Sequence, residues 1–475
     1  MGEPSVSVII PTHNRAVWLR QILLSLEGQS FPTGSYEVVV VDNGSTDETA
    51  VMLDNLSQPY HLSHLYLPKK DSFEAAAARN AGVRASRGEI LLFIDSDIVV
   101  DKRFIENHVA FHRAAKRVCV VGTVLYLPEQ KLDEQMLRDG SFVKQITAST
   151  PDPLETPLFC FSENLAQYQV PWFVCHSGNF SVDKTLLEEA GLFDEWHKTW
   201  SIEDLELAYR LHRHGLRFVF SKRAAGYHLY HDTVARLEKL DSVHQGLVYM
   251  EAKHPGDPGI GLWGELWRYE SELLRYENTM TTWQFDAWKG RRLHEGAKAP
   301  APIPDLSLVI YAYNRRDTLK SMLASLAEQT WPADRFEVIV VNGSIASAGD
   351  DTEVMIQTGD MPFRLRYFAT DWQDQVNDIK VKRVGIKLAL KQEDAPEVRQ
   401  LLERYDRSLE RREAELKRGL VEFAQRVADA DLIKFLDPRP QVRPDLVENM
   451  MASLPLDASF TTLPTLSIPA QRGQP

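Results

Sequence analysis

The chain has 475 residues, with 54 Lys and Arg against 67 Asp and Glu, a formal net charge of −13, 44% hydrophobic and 25% charged residues. This length allows two large or about three average domains with well-buried cores, and the composition excludes global disorder, a collagen-like repeat and a small disulfide scaffold. The acidic balance argues against a general nucleic-acid binder. Cys119, Cys160 and Cys175 show no C-x-x-C spacing, which argues against a disulfide framework or a cysteine zinc site and suits reduced thiols in a cytoplasmic protein. The N-terminus lacks the pattern of a signal peptide. No apolar run approaches the ~20 residues of a transmembrane helix, so any membrane contact would be peripheral.

The first element is an apolar run over 6–10, closed by Pro11-Thr12-His13-Asn14-Arg15. Trp18, Ile22 and Leu26 then recur every four residues, as on one face of a helix. Further runs at 37–41 and 90–94 are continuous in Val, Ile, Leu and Phe, as expected of parallel strands buried on both faces. Strand–helix alternation of this kind predicts a doubly wound α/β sheet, with ligands beyond the carboxyl ends of its strands. The polar clusters lie there: Pro11 to Arg15, Asp42-Asn43-Gly44-Ser45-Thr46-Asp47, and Asp95-Ser96-Asp97. Taken singly, each has a bland reading as a turn or a helix cap.

Asp95 and Asp97 project the same way from an extended chain. Two such oxygen ligands suit Mn²⁺ or Mg²⁺, which leave positions open for substrate phosphates. Further on, Trp200-Ser201-Ile202-Glu203-Asp204 reads as a helix start, with Ser201 at the N-cap and Asp204 three residues on. Asp204 is either a capping carboxylate or a general base for an acceptor hydroxyl. His228 and His231, spaced i and i+3 after a strand near 218–221, are candidate imidazole ligands.

The chain also repeats itself. VSVIIPTHNR at 6–15 returns as LSLVIYAYNR at 306–315, Tyr36–Val41 as Phe336–Val341, and Glu89–Asp97 as Asp431–Arg439. A period of this length indicates domain duplication. In the second copy Asn342 stands in place of Asp42, and Asp437-Pro438-Arg439 in place of the Asp95-Ser96-Asp97 motif. This copy is therefore expected to be truncated and degenerate, serving to position an acceptor, to form a homodimer or to stabilise the first domain. The expected boundaries are 1–235, a helical connector and Ala/Pro linker over 236–304, and 305–475 with a charged helical insertion at 393–430. Trp263, Trp267, Trp283 and Trp288 of the connector are read as packing between the domains.

Together these clusters resemble inverting family 2 glycosyltransferases of the GT-A fold. The segment from Gly178-Asn179-Phe180 through Gly191-Leu192-Phe193-Asp194-Glu195 to Glu203-Asp204 also resembles galactosyl- and N-acetylgalactosaminyltransferases and chondroitin-polymerase-like enzymes. The resemblance implies a nucleotide pocket lined by Pro11, Thr12, Arg15, Asp42, Arg79, Asn80, Asp95 and Ser96. It implies a cation on Asp97 and Asp95, with His228 as first and His231 as second choice of third ligand. It makes Asp204 the base, aided by Glu203, and puts Trp172, His176, Gly178 and Asn179 in the sugar cleft, with Trp172 as a platform. The implied reaction is transfer from a UDP-sugar to a glycan or lipid-linked saccharide. A peptide or protein acceptor and a non-catalytic nucleotide-sugar scaffold are the alternatives, and the donor sugar is left open.

Overall fold

The computed structural model describes residues 4–68, 74–196, 202–231, 236–276, 282–296, 304–343 and 350–371, and short stretches between 375 and 447. The chain forms two compact units, 1–160 with 165–300, and 161–164 with 301–475. The helices Arg236–Lys253, Pro258–Tyr276 and Thr282–Glu295 cluster with the first unit, so 236–300 is part of that unit and not a separate connector.

In the first unit the strands are β1 (Val6–Thr12), β2 (Tyr36–Asp42), β3 (His61–Tyr66), β4 (Ile90–Ile94), β5 (Ile98–Val100), β6 (Val118–Tyr126), β7 (Thr150–Pro151), β8 (Asn179–Asp183) and β9 (Arg217–His228). They form one sheet in the order β3-β2-β1-β4-β8-β6-β9-β5, with β7 on β6. β3, β2, β1 and β4 run parallel, and β8 enters antiparallel to both β4 and β6. β1, β2 and β4 are buried over nearly their whole length, which matches their unbroken apolar sequence. Helix Ala16–Glu27 turns Leu19, Ile22, Leu23 and Leu26 into the core beneath them. Helix Ala75–Ala85 lies close on β1 and β2 because Gly82 has no side chain: a Cβ there would stand 2.5 Å from Ile9 Cγ2.

The second unit has β10 (Leu306–Ala312), β11 (Phe336–Asn342), β12 (Arg364–Ala369) and β13 (Leu432–Leu436), all parallel, in the order β12-β11-β10-β13. This repeats β3-β2-β1-β4 in pairing and register: Val6 faces Tyr36 and Ile90, and Leu306 faces Phe336 and Leu432. Details of the duplication extend to single atoms. Ser7 Oγ donates to buried Glu37 Oε1 at 2.7 Å, and Ser307 Oγ to buried Glu337 Oε1 at 2.5 Å. Asn14 and Asn314 both hold the left-handed backbone, at φ 53° and 49°.

The stretch Phe161–Asn164 runs along β12: Glu163 N donates to Tyr367 O at 2.8 Å, and Arg366 Nη2 to Phe161 O at 2.6 Å. Of the charged insertion, residues 409–419 are helical, and most of the remainder lies outside the described residues, as do Asp437, Pro438 and Arg439. Among the described residues no helix is long and apolar enough to cross a membrane.

The tryptophans of 236–300 differ from one another. Trp263 is core, packed against Trp172 with ring centroids 5.9 Å apart, whereas Trp288 is exposed. The side chain of Trp283 lies outside the described residues.

Candidate active site

The carboxyl ends of β1 and β2 are joined by side chains of their own loops. Asn14 Oδ1 accepts from Thr46 N at 2.7 Å, Asn14 N donates to Ser45 Oγ at 2.8 Å, and Ala16 N donates to Asp47 Oδ2 at 3.1 Å. Asp42 is buried and accepts from Ser45 N at 2.8 Å. The two polar motifs therefore form one fixed rim. Thr12 and Asn43 point buried oxygens, Oγ1 and Oδ1, into it without a partner among the described residues. Pro11 is half-buried and shapes the turn, and Ser96 is buried one strand over.

Next along the sheet, Arg79 ties two motifs together. Its Nη2 lies 2.9 Å from Asp95 Oδ1 and its Nη1 3.1 Å from Glu203 Oε1, with the guanidinium over the Phe193 ring. Arg79 and Glu203 are buried. The sequence reading placed Arg79 at the base or diphosphate; the structure commits it to two carboxylates. Asn80 is bonded within the fold. Its amide exchanges hydrogen bonds with the Phe193 backbone at 2.9 and 3.0 Å and reaches Glu195 at 2.8 Å, a staple between helix and loop.

Helix Glu203–Arg213 begins at Glu203 and has Ile202 at its N-cap, with no side-chain cap. The expected Ser201 cap lies outside the described residues. Asp204 is bonded both outside and inside the first turn. Its Oδ2 accepts from Ser177 N at 3.1 Å, on a different segment, and its Oδ1 from Leu205 N. Burial pushes the Asp204 carboxyl above the usual carboxylate range, with Arg79, Ser177 N and His176 partly offsetting it. Glu203 is pushed up as well, by burial and then by Asp204.

His176 is half-buried beside Glu155, whose carboxylate accepts from Thr123 Oγ1 and Val124 N. Burial disfavours the imidazolium, but Glu155, Asp152 and Asp204 outweigh it and raise His176 to about 9. Gly178 leaves room against Asp95, since a Cβ would stand 3.2 Å from Asp95 Oδ2.

Two members of the expected sugar cleft are elsewhere. Trp172 is 1% exposed and packed edge-on against Tyr209, so it offers no open face to a pyranose. Asn179 is fully buried, and its amide is used by His108, Thr123 O and Ala224 O.

The remaining cluster forms where β5 pairs with β9. Ile98 faces His228, and Leu229 N donates to Asp97 O at 2.8 Å. Asp97 Oδ2 lies 3.0 Å from His231 Nε2 and Asp97 Oδ1 3.7 Å from His228 Nε2. Donor atoms of Asp97, His228 and His231 all fall within 4.8 Å of one another. Neighbouring ligands of an octahedral Mg²⁺- or Mn²⁺-sized ion stand about 3 Å apart, and one carboxylate with two imidazoles suits Mn²⁺ in particular. Asp97 Oδ1 is buried without a hydrogen-bond partner among the described residues, as an ion-facing oxygen would be. The donor set therefore fits a divalent cation. Asp95 is outside this group, its Oδ1 being held by Arg79. Arg15 contributes positive charge near Asp97 and lies 5.0 Å over the Trp18 ring. Tyr126, Asp152 and Glu155, which also surround the site, had no signal in the sequence, and Trp18 was legible there only as part of a helix face.

Residues 7–191 and 307–375 match the sequence model described as Glycosyl transferase family 2. The chain belongs to this family. It is a glycosyltransferase of GT-A fold, and both repeats carry the family pattern. The chain is 29% identical over 279 residues to the uncharacterized glycosyltransferase YfnE of Bacillus subtilis, covering 52% of this chain and 70% of that protein. It is 27% identical over 289 residues to validoxylamine A glucosyltransferase of Streptomyces hygroscopicus subsp. jinggangensis, covering 58% and 68%. It is 26% identical over 238 residues to chondroitin synthase of Escherichia coli, covering 47% of this chain and 34% of that one.

Proposed function

We propose that the first unit catalyses a metal-dependent, inverting transfer of a sugar from a UDP-sugar to a saccharide acceptor. The observation that carries this reading is the Arg79 bridge, which holds the Asp95-Ser96-Asp97 turn and the Glu203-Asp204 helix start on one site beside Asp97, His228 and His231. A donor-side acid cluster and an acceptor-side base are then neighbours. One relative named above is called a glucosyltransferase and another a chondroitin synthase, which supports sugar transfer onto a saccharide acceptor in this reading.

In this reading Asp204 takes the acceptor hydroxyl proton on its carboxylate. The acceptor oxygen forms a bond to the anomeric carbon from the face opposite the leaving group. The bond from that carbon to the diphosphate oxygen breaks, and its electron pair leaves with UDP. One displacement inverts the anomeric configuration. A divalent cation, when bound by Asp97, His228 and His231, supplies neutralisation of the charge that develops on the diphosphate. Arg79 holds Asp95 and Glu203 in place, and Ser177 N fixes the Asp204 carboxylate. The raised Asp204 carboxyl is a better proton acceptor than an ordinary surface aspartate.

The second unit is proposed to bind no nucleotide. Asn342, the counterpart of Asp42, spends its amide on Asp350 at 3.1 Å and Tyr367 at 3.2 Å, and Ala312 replaces Thr12.

UDP release from a panel of UDP-sugars, with Mn²⁺, Mg²⁺ or EDTA, tests the reading. Release from one donor that EDTA and Asp97→Ala both abolish supports it. Absence of both release and metal-dependent binding for every donor rules it out.

A further inference from the structure

Metal-bound histidines are ordinarily held by a hydrogen bond from the ring nitrogen that does not face the metal. His228 has no side-chain hydrogen bond among the described residues. The torsion that sets an imidazole plane is broad and two-fold, so something else must select the orientation in which Nε2 looks at Asp97. Tyr126 is the group in place to do so.

Tyr126 ends β6, and the β6–β9 register sets it directly beside His228. The rings are stacked, with centroids 4.5 Å apart and planes 24° from parallel. The tyrosine is itself anchored. Its hydroxyl donates to Asp152 Oδ2 at 3.1 Å, while Asp152 Oδ1 accepts from Leu154 N at 2.8 Å and Asp152 N donates to Val124 O at 3.0 Å. Core packing does not account for the position, because Tyr126 is 36% exposed. His231 is flanked in a comparable way: Trp18 stands edge-on to it at 6.0 Å and donates its Nε1–H to Tyr230 O at 3.4 Å.

We propose that Tyr126 is a positioning residue for His228. Its ring, held by Asp152, presets the imidazole plane so that Nε2 faces Asp97 before a divalent cation arrives. The inference rests on the cation reading given above and adds a residue to it. The stacked face does the orienting, and the hydroxyl only anchors the ring.

The test is Mn²⁺ binding to the full chain, followed by the loss of the free-ion electron paramagnetic resonance signal, with no sugar donor present. Tyr126→Ala is expected to weaken Mn²⁺ binding about tenfold, and Tyr126→Phe to stay within about threefold of the parent. Should Tyr126→Ala fail to fold, Tyr126→Leu replaces it, refilling the volume without a ring. Parent-like binding by the Ala or Leu variant, with binding lost in His228→Ala, overturns the proposal. Equal weakening in Phe and Ala also overturns it, since the hydroxyl would then be the active part. Unchanged binding in both His228→Ala and Asp97→Ala refutes the cation reading, and this inference with it.

Discussion

Arg79 Nη1 and Glu203 Oε1 meet at 3.1 Å with both side chains buried, which completes, with the Arg79–Asp95 pair, the link between the metal motif and the base-bearing helix. Removing one partner of a buried pair strands the other charge. Arg79→Met is therefore expected to destabilise the first unit by about 3 kcal/mol and to abolish turnover. Chemical denaturation checks the first part. Glu203→Gln in the Arg79→Met background should recover part of the lost stability, because the stranded charge is gone.

Asp204→Asn is expected to lower kcat by about 10²- to 10⁴-fold and to leave nucleotide-sugar affinity within a few-fold. Steady-state kinetics with a donor titration separates the two. Because burial raises the Asp204 carboxyl, the acid limb of the parent's pH–rate profile should lie above the ordinary aspartate range.

His176 gives a pH dependence of stability. Its folded-state value is raised to about 9 against an ordinary imidazole near 6.5. A raised value means stability that is fully present below about 6.5 and is lost as pH rises through about 9. The loss is on the order of 3 kcal/mol. Denaturation midpoints at pH 6.5, 8 and 9.5 should fall in the parent, and His176→Gln should remove that part of the decline.

Cation binding should be visible in stability as well. Mn²⁺ at a hundredfold excess over its dissociation constant adds about 2.7 kcal/mol to a protein that binds it only when folded. The thermal midpoint of the parent should rise with Mn²⁺ and return with EDTA. Asp97→Ala and His231→Ala should show no rise.

Gly82→Ala should cost about 1–3 kcal/mol, since its Cβ would overlap Ile9 where the helix Ala75–Ala85 meets β1. Ile9→Val in the same chain should return part of it, which a double-mutant cycle measures.

The elements that were legible in the sequence share a cause. β1, β2 and β4 are buried on both faces, so each is a contiguous apolar run, and the duplication could be read because β10 and β11 face the same demand. β3 left no such signal: it is an edge strand with no fully buried residue, and its sequence HLSHLY is half polar. β8 was also hidden, because its antiparallel entry between β4 and β6 depends on pairings far apart in the chain.

At the site, motif residues were visible but their tasks were not. Asn80, Trp172 and Asn179 carry residue types that suit ligands, yet long-range hydrogen bonds and packing use them for structure. His231, three residues beyond the end of β9, stands nearer to Asp97 than His228 does. Tyr126 and Asp152 had no signal, since their relevance arises only from the β6–β9 register and the turn after β7.

Phe161–Asn164 belongs to the second unit although it lies far ahead of it in the chain. The Ala/Pro stretch is consequently a misleading place to cut. A fragment beginning at residue 301 would lack the peptide that pairs with β12, baring strand donors and acceptors that can recruit another chain, and leaving buried Arg366 without the Phe161 carbonyl. The two halves of the duplication are thus no longer interchangeable modules. Four residues carried within the first half complete its twin, so a cut at residue 300 parts the second sheet from the peptide that pairs with its edge strand.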